Sequence, residues 1–251
     1  MQSKLEATSL IEEKPFLDFI EFVESNFGLM LSLYNPKSLK RRLDKVLRLF
    51  KIDDLRSLQM LFIRDEKYFQ KFIDAFTVQV TELFREPGGL KVIREDVFPL
   101  LRNKEAPRIL LIGSSTGEEL CSLAIILKEL DLLDRAEITA TDLSPKAISR
   151  ASKPCISKSR LKEAQMNYRR AGGTGLLEDY YQATSSLCYF HSSLFDRVHF
   201  QCFDITKDEL DQKFDLIFCR NLLIYFQSQQ HNGLVQRLVR HLKPGGFLSF
   251  G

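Results

Sequence analysis

The chain has 251 residues, of which 44% are hydrophobic, and its formal net charge is +3. This length allows a large buried core and suits one large domain together with a smaller one. No run of about 18 apolar residues occurs, and the sequence does not begin with a basic stretch followed by an apolar one. These features argue against a membrane-spanning helix and a secretory signal, so we expect a soluble, cytoplasmic protein without direct membrane insertion.

Cysteine and histidine show no spacing typical of a metal site or a disulfide framework. The five cysteines are odd in number and form no C-x-x-C pair, which favours buried thiols. The four histidines also lack the spacing of metal ligands. We therefore predict no bound metal.

The N-terminal part of the sequence is predicted to be helical. Apolar residues recur every three or four positions in 14–27 and 68–84, which is typical of helices in a small bundle. Thr81 and Arg85 lie four residues apart in the second segment, so we expect both on one helical face. The Pro-Gly-Gly sequence at 87–89 predicts a linker. These patterns place a helical domain at 14–88 and a second domain at 89–251.

A basic helix is predicted at 37–51. This stretch contains seven basic residues and one acid, Asp44, and its apolar and basic side chains fall on opposite helical faces. The pattern is typical of an ordinary solvated face. It is also typical of a docking surface for an acidic protein partner, such as a glutamate-rich helix. We do not expect a nucleic-acid partner, because no aromatic residues are interleaved with the charges.

Residues 108–119, RILLIGSSTGEE, predict a strand, a tight turn and a helix start, a common ligand site in α/β proteins. Gly113 and Gly117 would let the backbone approach a ligand, and Thr116 with Glu119 has the spacing of a capping box. No Lys-Ser/Thr pair follows Gly117, and the glycines do not match G-x-G-x-x-G, so a phosphate ligand is disfavoured. The carboxylates of Glu118 and Glu119 suit a cation, such as the ammonium and sulfonium of S-adenosylmethionine (SAM).

Four further strands are predicted at 137–142, 198–204, 214–220 and 242–251. The first of these ends at Asp142, where nucleotide-binding α/β folds hold ribose hydroxyls, and the second ends at Asp204. Strands alternating with helices predict an α/β domain with a doubly wound, mostly parallel, Rossmann-like sheet. Residues 150–197 interrupt this alternation with a Gly-rich break and short β-like runs, so we expect a small β-type insertion there.

Four segments, in chain order, resemble the motifs of one enzyme family: TELFREP (81–87), GSSTGEE (113–119), TDLSPKAIS (141–149) and FDLIFCRNLLIYF (214–226). Over residues 14–251 the chain is similar to the chemotaxis receptor methyltransferases, the CheR family. The resemblance implies a helical N-terminal domain followed by a SAM-dependent methyltransferase domain. It also implies an enzyme that esterifies glutamate side chains in the cytoplasmic domain of a chemoreceptor and releases S-adenosylhomocysteine (SAH).

The resemblance assigns roles to individual residues. The candidate catalytic residues are Arg85, to orient the carboxylate, and Tyr225, to shape the methyl channel or donate a hydrogen bond. Glu119 is expected near the amino group of SAM, Asp142 at the ribose and Asp204 near the adenine. The other candidates for cofactor binding are Arg42, which the family pattern directs towards SAM, Thr81 and Arg85 in the active cleft, Gly113, and Asn221 and Leu222 at the methionine portion.

Three departures from the family pattern leave other functions open. Asp204 and Gln79 stand where the family usually has Asn, and Lys153, Pro154 and Cys155 replace the usual Gly-x-Tyr of the insertion. The sequence also stops before the family's final antiparallel strand pair. The alternatives are a SAM-dependent methyltransferase with another substrate and a catalytically silent SAM-binding module.

Methylation of a glutamate needs no general base, because a carboxyl with a pKa of about 4.3 is already ionised at neutral pH.

Overall fold

The computed structural model describes residues 11–77 and 81–250. They form two compact units, the first comprising residues 11–77 and 224–232 and the second residues 81–223 and 233–250. Gln79 and Gly251 lie outside the described residues. No helix within the described ranges has the length and apolar content needed to cross a bilayer. The domain boundary at residue 88 stays a prediction.

The first unit is built from four amphipathic helices: α1 (Glu13–Phe27), α2 (Pro36–Phe50), α3 (Leu55–Arg64) and α4 (Lys67–Phe76). Phenylalanines from three of these helices, Phe19, Phe62 and Phe72, pack with ring centroids 5.3 to 6.2 Å apart. Each buried ring contributes about 2 kcal/mol of hydrophobic stabilisation. The basic helix begins at Pro36, because the Asn35 side chain accepts a hydrogen bond from the Ser38 amide at 3.2 Å.

The expectation of a helix through 68–84 is wrong at its C-terminal end. Helix α4 ends at Phe76, and residues 81–86 form turns and bends. Phe84 and Glu86 both have a φ of 52°, a left-handed conformation that a helix does not allow. Pro87 also disfavours helical geometry in the residue before it. Thr81 and Arg85 therefore do not share a helical face.

The second unit contains the predicted parallel sheet. Its strands are β1 (Arg108–Ile112), β2 (Glu137–Asp142), β6 (Val198–Cys202), β7 (Phe214–Cys219) and β8 (Leu242–Phe250), in the order β6-β2-β1-β7-β8. Each neighbouring pair is parallel, for example Ile109 opposite Ile138 and Leu110 opposite Ile217. Strand β7 is buried along its whole length, as its continuous apolar run predicts. The doubly wound fold is confirmed.

Helices connect the strands of this sheet. They are α5 (Pro87–Val92), which continues through a π-helical turn (Ile93–Val97) into α6 (Phe98–Leu101), then α7 (Glu118–Glu129), α8 (Pro145–Ala151), α9 (Leu161–Arg170) and α10 (Ser228–Arg240). The predicted β-type insertion is also present. It contains α9 and a three-stranded antiparallel sheet of β3 (Cys155–Ser157), β4 (Tyr181–Ala183) and β5 (Leu187–Phe190), in the order β3-β5-β4.

The strand order locates the ligand crevice of the second unit. From β1 the chain proceeds through β2 and β6 on one side, whereas β7 and β8 lie on the other side. The order thus reverses between β1 and β7. In open α/β sheets, ligands bind outside the carboxyl ends of the strands at such a reversal. The residues that follow β1 and β7 are Gly113 and Arg220.

Candidate active site

The turn after β1 is held against the end of β2. The amides of Gly113 and Ser114 both donate to the Thr141 carbonyl at 2.8 Å. The Asp142 carboxylate accepts from the Ser115 amide at 2.9 Å and from the Ser144 amide at 3.0 Å. Asp142 therefore supports the turn as well as being the ribose candidate. Gly113, with a φ of 78°, adopts a conformation in which a side chain would be strained.

Gly117 has a packing role that the sequence pattern did not reveal. A Cβ atom at this position would lie 2.9 Å from Pro154 Cβ and 3.0 Å from Ala151 Cα, so no side chain fits. At Gly113 the corresponding distance, to Leu222 Cδ1, is 3.8 Å. Packing therefore accounts for the glycine at 117, and Gly113 remains the candidate for close approach of a ligand to the backbone. The capping box is also wrong, because α7 begins after Gly117 and the Thr116 hydroxyl donates to Glu118 at 2.5 Å instead.

Three buried polar atoms near the strand ends have no hydrogen-bond partner among the described residues: Ser114 Oγ, Ser115 Oγ and Asp204 Oδ2. The other oxygen of Asp204, Oδ1, accepts from the amide and hydroxyl of Thr206 at 2.9 and 2.6 Å. Arg237 holds the rest of this loop through the carbonyls of Ile205 and Asp208. Buried polar groups normally have partners. Unpartnered acceptors beside a glycine turn fit a polar ligand that carries hydroxyl and amino groups, as SAM does.

The two glutamates that open α7 are each paired with an arginine. Arg160 donates to Glu118 Oε1 at 3.3 Å, and Arg220 donates from Nη1 to Glu119 Oε1 at 2.8 Å. Glu118, one of the two glutamates predicted to suit a cationic ligand, is buried and has Arg160 as its cationic partner. Burial raises the pKa of the Glu119 carboxyl, and the positive charge of Arg220 opposes that rise.

Arg220 also binds the segment that precedes α5. Its Nη2 donates to the Arg85 carbonyl at 2.8 Å and to Glu86 Oε2 at 3.2 Å. The Asn221 amide donates to Glu86 Oε1 at 2.7 Å and lowers the pKa of that carboxyl, as does the Arg220 charge. Asn221 has a φ of 54°, so left-handed residues occur on both sides of this contact. Such strain is concentrated at functional sites.

Three candidate residues of the second unit, Arg85, Glu119 and Asn221, are joined in one network through Arg220 and Glu86. Arg85 lies beside Glu86, with 3.9 Å between Arg85 Nε and Glu86 Oε1, and 33% of its side chain is exposed. The Thr81 carbonyl accepts from Arg160 Nη2 at 2.6 Å. The sequence-based reasoning missed Arg160, Arg220 and Glu86. An arginine that directly follows an almost continuously apolar strand, as Arg220 does, was the available signal, because a buried cation requires partners.

Arg42 and Tyr225 lie together in the first unit. The Arg42 guanidinium is 4.1 Å from the Tyr225 ring centroid and 5.2 Å from that of Phe76. Tyr225 is fixed because its carbonyl accepts from the Asn35 amide at 2.9 Å. Burial lowers the pKa of Arg42, and its Nε and Nη2 atoms have no hydrogen-bond partner within residues 11–77 and 81–250. Two buried donors without an acceptor fit a residue that binds a ligand.

Comparison with protein families matches both parts of the chain to one group of enzymes. Residues 14–77 match the all-alpha domain of CheR methyltransferases, and residues 79–251 match their SAM-binding domain. The chain belongs to the CheR methyltransferase family. It is thus a SAM-dependent methyltransferase, whose SAM-binding domain contains the glycine turn and the Arg220 network.

Individual CheR relatives cover most of the chain. The Cher3 protein of Pseudomonas putida, named as a methyltransferase, is 34% identical over 92% of this chain and 85% of its own length. A chemotaxis protein methyltransferase of Listeria innocua is 29% identical over 95% of this chain and 89% of its own length. The methyltransferase WspC of Pseudomonas aeruginosa, named for biofilm formation, is 30% identical over 72% of this chain and 43% of its own length.

The CheR site offers no activated thiol nucleophile at the end of β7. Burial raises the pKa of the Cys219 thiol to about 12, and the nearby Glu119 charge acts in the same direction. The thiol is therefore protonated at neutral pH. Direct transfer of the methyl group to a bound substrate fits this arrangement better.

Proposed function

We propose that this methyltransferase esterifies glutamate side chains of a chemoreceptor-like protein. The observation that carries this proposal is the partly exposed Arg85 guanidinium, whose own backbone is fixed by Arg220 at the edge of the sheet. A guanidinium pairs with a carboxylate through two parallel hydrogen bonds. The names of chemotaxis methyltransferases among the relatives support the choice of substrate.

Bound SAM supplies a methyl group that is already activated by its sulfonium. The substrate carboxylate is ionised at neutral pH, so the protein does not need to remove a proton. One carboxylate oxygen forms a bond to the methyl carbon while the bond from that carbon to sulfur breaks, and its electron pair stays on the sulfur of SAH. Arg85 acts by orienting the carboxylate, and orientation alone accounts for several kcal/mol of barrier lowering.

The cofactor roles in the second unit follow from the strand ends. We assign Glu119 to the ammonium group of SAM, Asp142 to the ribose hydroxyls, and the unpartnered Oδ2 of Asp204 to the adenine amino group. The backbone of Gly113, Asn221 and Leu222 is assigned to the methionine portion. A carboxylate at Asp204 accepts from the adenine amino group but, unlike an amide, cannot also donate.

In the first unit, Arg42 and Tyr225 keep their proposed roles in SAM binding and in the methyl channel. The unpartnered Nε and Nη2 of Arg42 support its role. Thr81 keeps its proposed place in the active cleft. We further propose that the exposed basic face of α2, formed by Lys37, Arg41, Lys45 and Arg48, docks an acidic region of the cytoplasmic receptor. Charge complementarity of this kind mainly increases the association rate.

The proposal is tested by transfer of a labelled methyl group from SAM to a purified cytoplasmic receptor fragment. We expect labelled protein that loses its label as methanol in mild alkali, because methyl esters are labile to base. A matched fragment with glutamine in place of its acidic methyl acceptors is expected to remain unlabelled. Alkali-stable label would instead favour methylation at nitrogen or sulfur and would contradict ester formation.

A second candidate function is methylation of a protein outside chemotaxis. The similarity to WspC, a relative named for biofilm formation, favours this candidate over a small-molecule substrate. A chain that labels neither receptor fragments nor other proteins, yet binds SAH, would be the silent module.

A further inference from the structure

The Arg220 side chain connects the two halves of the proposed site. Only 2% of it is exposed, and its two terminal nitrogens donate to Glu119, to Glu86 and to the Arg85 carbonyl. Glu119 is the residue assigned to the ammonium of SAM, and Arg85 is the residue assigned to the substrate carboxylate. The Arg220 guanidinium thus contacts both Glu119 and the backbone of Arg85, the residues assigned to the two ligands, and is itself assigned to neither ligand.

The geometry of these contacts depends on the planar fork of arginine. The hydrogen bond from Nη1 reaches the start of α7, whereas the bonds from Nη2 reach the segment 81–86. A lysine at this position would have a single ammonium at the end of a flexible stem. It could retain the charge beside Glu119, but it could not hold the same fork on both elements.

The surroundings of Glu119 make its ionisation depend on Arg220. Its carboxylate is mostly buried, with 13% of the side chain exposed. The charged and titratable groups that face it are Arg220 and Cys219 at the end of β7, and Arg85 and Glu86 in the preceding segment. Cys219 is neutral, and Glu86 repels a second negative charge. Of the two cations, only Arg220 forms a hydrogen bond with Glu119 in the described residues.

We propose that Arg220 is a positioning residue for methyl transfer, which keeps Glu119 ionised for the ammonium of SAM and fixes the backbone of Arg85. The inference rests on the proposed roles of Glu119 and Arg85. It does not depend on which protein is methylated. Without Arg220, only the weaker effect of the Arg85 charge opposes burial, so the pKa of Glu119 rises further. Glu119 is then protonated at a higher pH, and the affinity for the ammonium falls first on the acidic side.

The test measures the affinity for SAH, which carries the ammonium but no transferable methyl, by calorimetry from mildly acidic to mildly alkaline pH. Arg220→Met is expected to weaken binding by about tenfold near the acidic end and to approach the parent affinity as the pH rises. Glu119→Gln is expected to abolish this pH response. The double variant is expected to follow the Glu119→Gln profile.

Arg94→Met is the matched control. Arg94 also pairs with a buried glutamate of α7, Glu129, at 2.5 Å. That glutamate lies ten residues beyond Glu119, about 15 Å along the helix. The control removes an equivalent pair away from the site, so its SAH profile is expected to match the parent. A loss in Arg220→Met that is the same at every pH, or no loss, would overturn the role in Glu119 ionisation.

Arg220→Lys provides a second test, which can still be carried out if Arg220→Met does not fold. We expect this variant to keep a SAH profile close to that of the parent, whereas its kcat for methyl transfer falls with little change in the KM for SAM. A kcat equal to that of the parent, or a SAH profile like that of Glu119→Gln, would overturn the proposal. The SAH experiments contain no protein substrate, so their outcome is distinct from failure of the glutamate ester assignment.

Discussion

Replacing Arg85 by alanine separates substrate orientation from folding. The hydrogen bond that fixes this residue is accepted by its backbone carbonyl, so the substitution leaves it in place. In the described part of the chain the side chain itself has one ion-pair contact, at 3.9 Å to Glu86, and is one-third exposed. Exposed pairs of this kind contribute less than about 1 kcal/mol. We therefore expect little change in the free energy of unfolding.

The expected loss of activity is much larger than the loss of stability. A bidentate pair between Arg85 and the substrate carboxylate has two hydrogen bonds between charged groups, each worth about 1.5 kcal/mol or more. Losing both raises the barrier by about 3 kcal/mol, which lowers kcat/KM by roughly 10²-fold. Arg85→Lys is expected to recover little of this, because an ammonium lacks the planar two-point contact.

The assay compares steady-state methyl ester formation by the parent, Arg85→Ala and Arg85→Lys, with thermal unfolding measured in parallel. Arg108→Ala is the control. Arg108 is a similarly exposed arginine paired with Glu137, and it begins β1, at the end of the strand away from the glycine turn. The control is expected to keep the parent rate. If Arg85→Ala esterifies the receptor fragment as fast as the parent, the assignment of Arg85 to the substrate carboxylate is refuted.

Three further outcomes are expected. Asp142→Ala should weaken SAM and SAH binding by about tenfold or more in calorimetry, because it removes the proposed ribose contact and the acceptor of the Ser115 amide in the glycine turn; unchanged affinities would contradict this. Replacing Lys37, Arg41, Lys45 and Arg48 by Glu should slow association with the receptor fragment in stopped-flow experiments and leave the SAH affinity intact. The slowing should be smaller at high salt, which screens exposed charges. An association rate that does not depend on salt would contradict docking and favour an ordinary solvated face. Asp215→Asn should lower the free energy of unfolding by about 2 kcal/mol at neutral pH, because Asp215 accepts from Lys243 and the Arg108 amide at 2.8 Å. These bonds hold the pKa of Asp215 below its ordinary 3.8, so the difference should vanish as acid protonates the parent, and a constant difference down to low pH would contradict the reasoning.

The sheet could be predicted because its signals are local in sequence. Strand β2 ends at Asp142, as predicted, and β7 differs from its predicted range by one residue. An almost continuously apolar run such as FDLIFC implies burial on both faces, and alternation with helices then implies parallel neighbours. Amphipathic periodicity identified α1 and α2 in the same way.

The contacts of the site could not be predicted because they join distant parts of the chain. Arg220 lies 101 residues from Glu119, 135 residues from Arg85 and 134 residues from Glu86 in the sequence. No helical or strand periodicity relates positions so far apart. The helical pattern before Pro87 was misleading at its end, since Phe84 and Glu86 adopt left-handed conformations that tertiary hydrogen bonds stabilise. The Phe84 amide, for example, donates to Ser122 Oγ at 2.7 Å. Tertiary contacts here override local propensity.

The central claim, that the chain forms glutamate methyl esters, is tested most directly by locating the transferred methyl group. A receptor fragment methylated by this enzyme from isotopically labelled SAM is digested under mildly acidic conditions, which preserve esters, and its peptides are sequenced by mass spectrometry. We predict the label on glutamate side chains alone, and its loss from the same peptides after mild alkali. Label on lysine, arginine, histidine or cysteine, stable to alkali, would contradict the account.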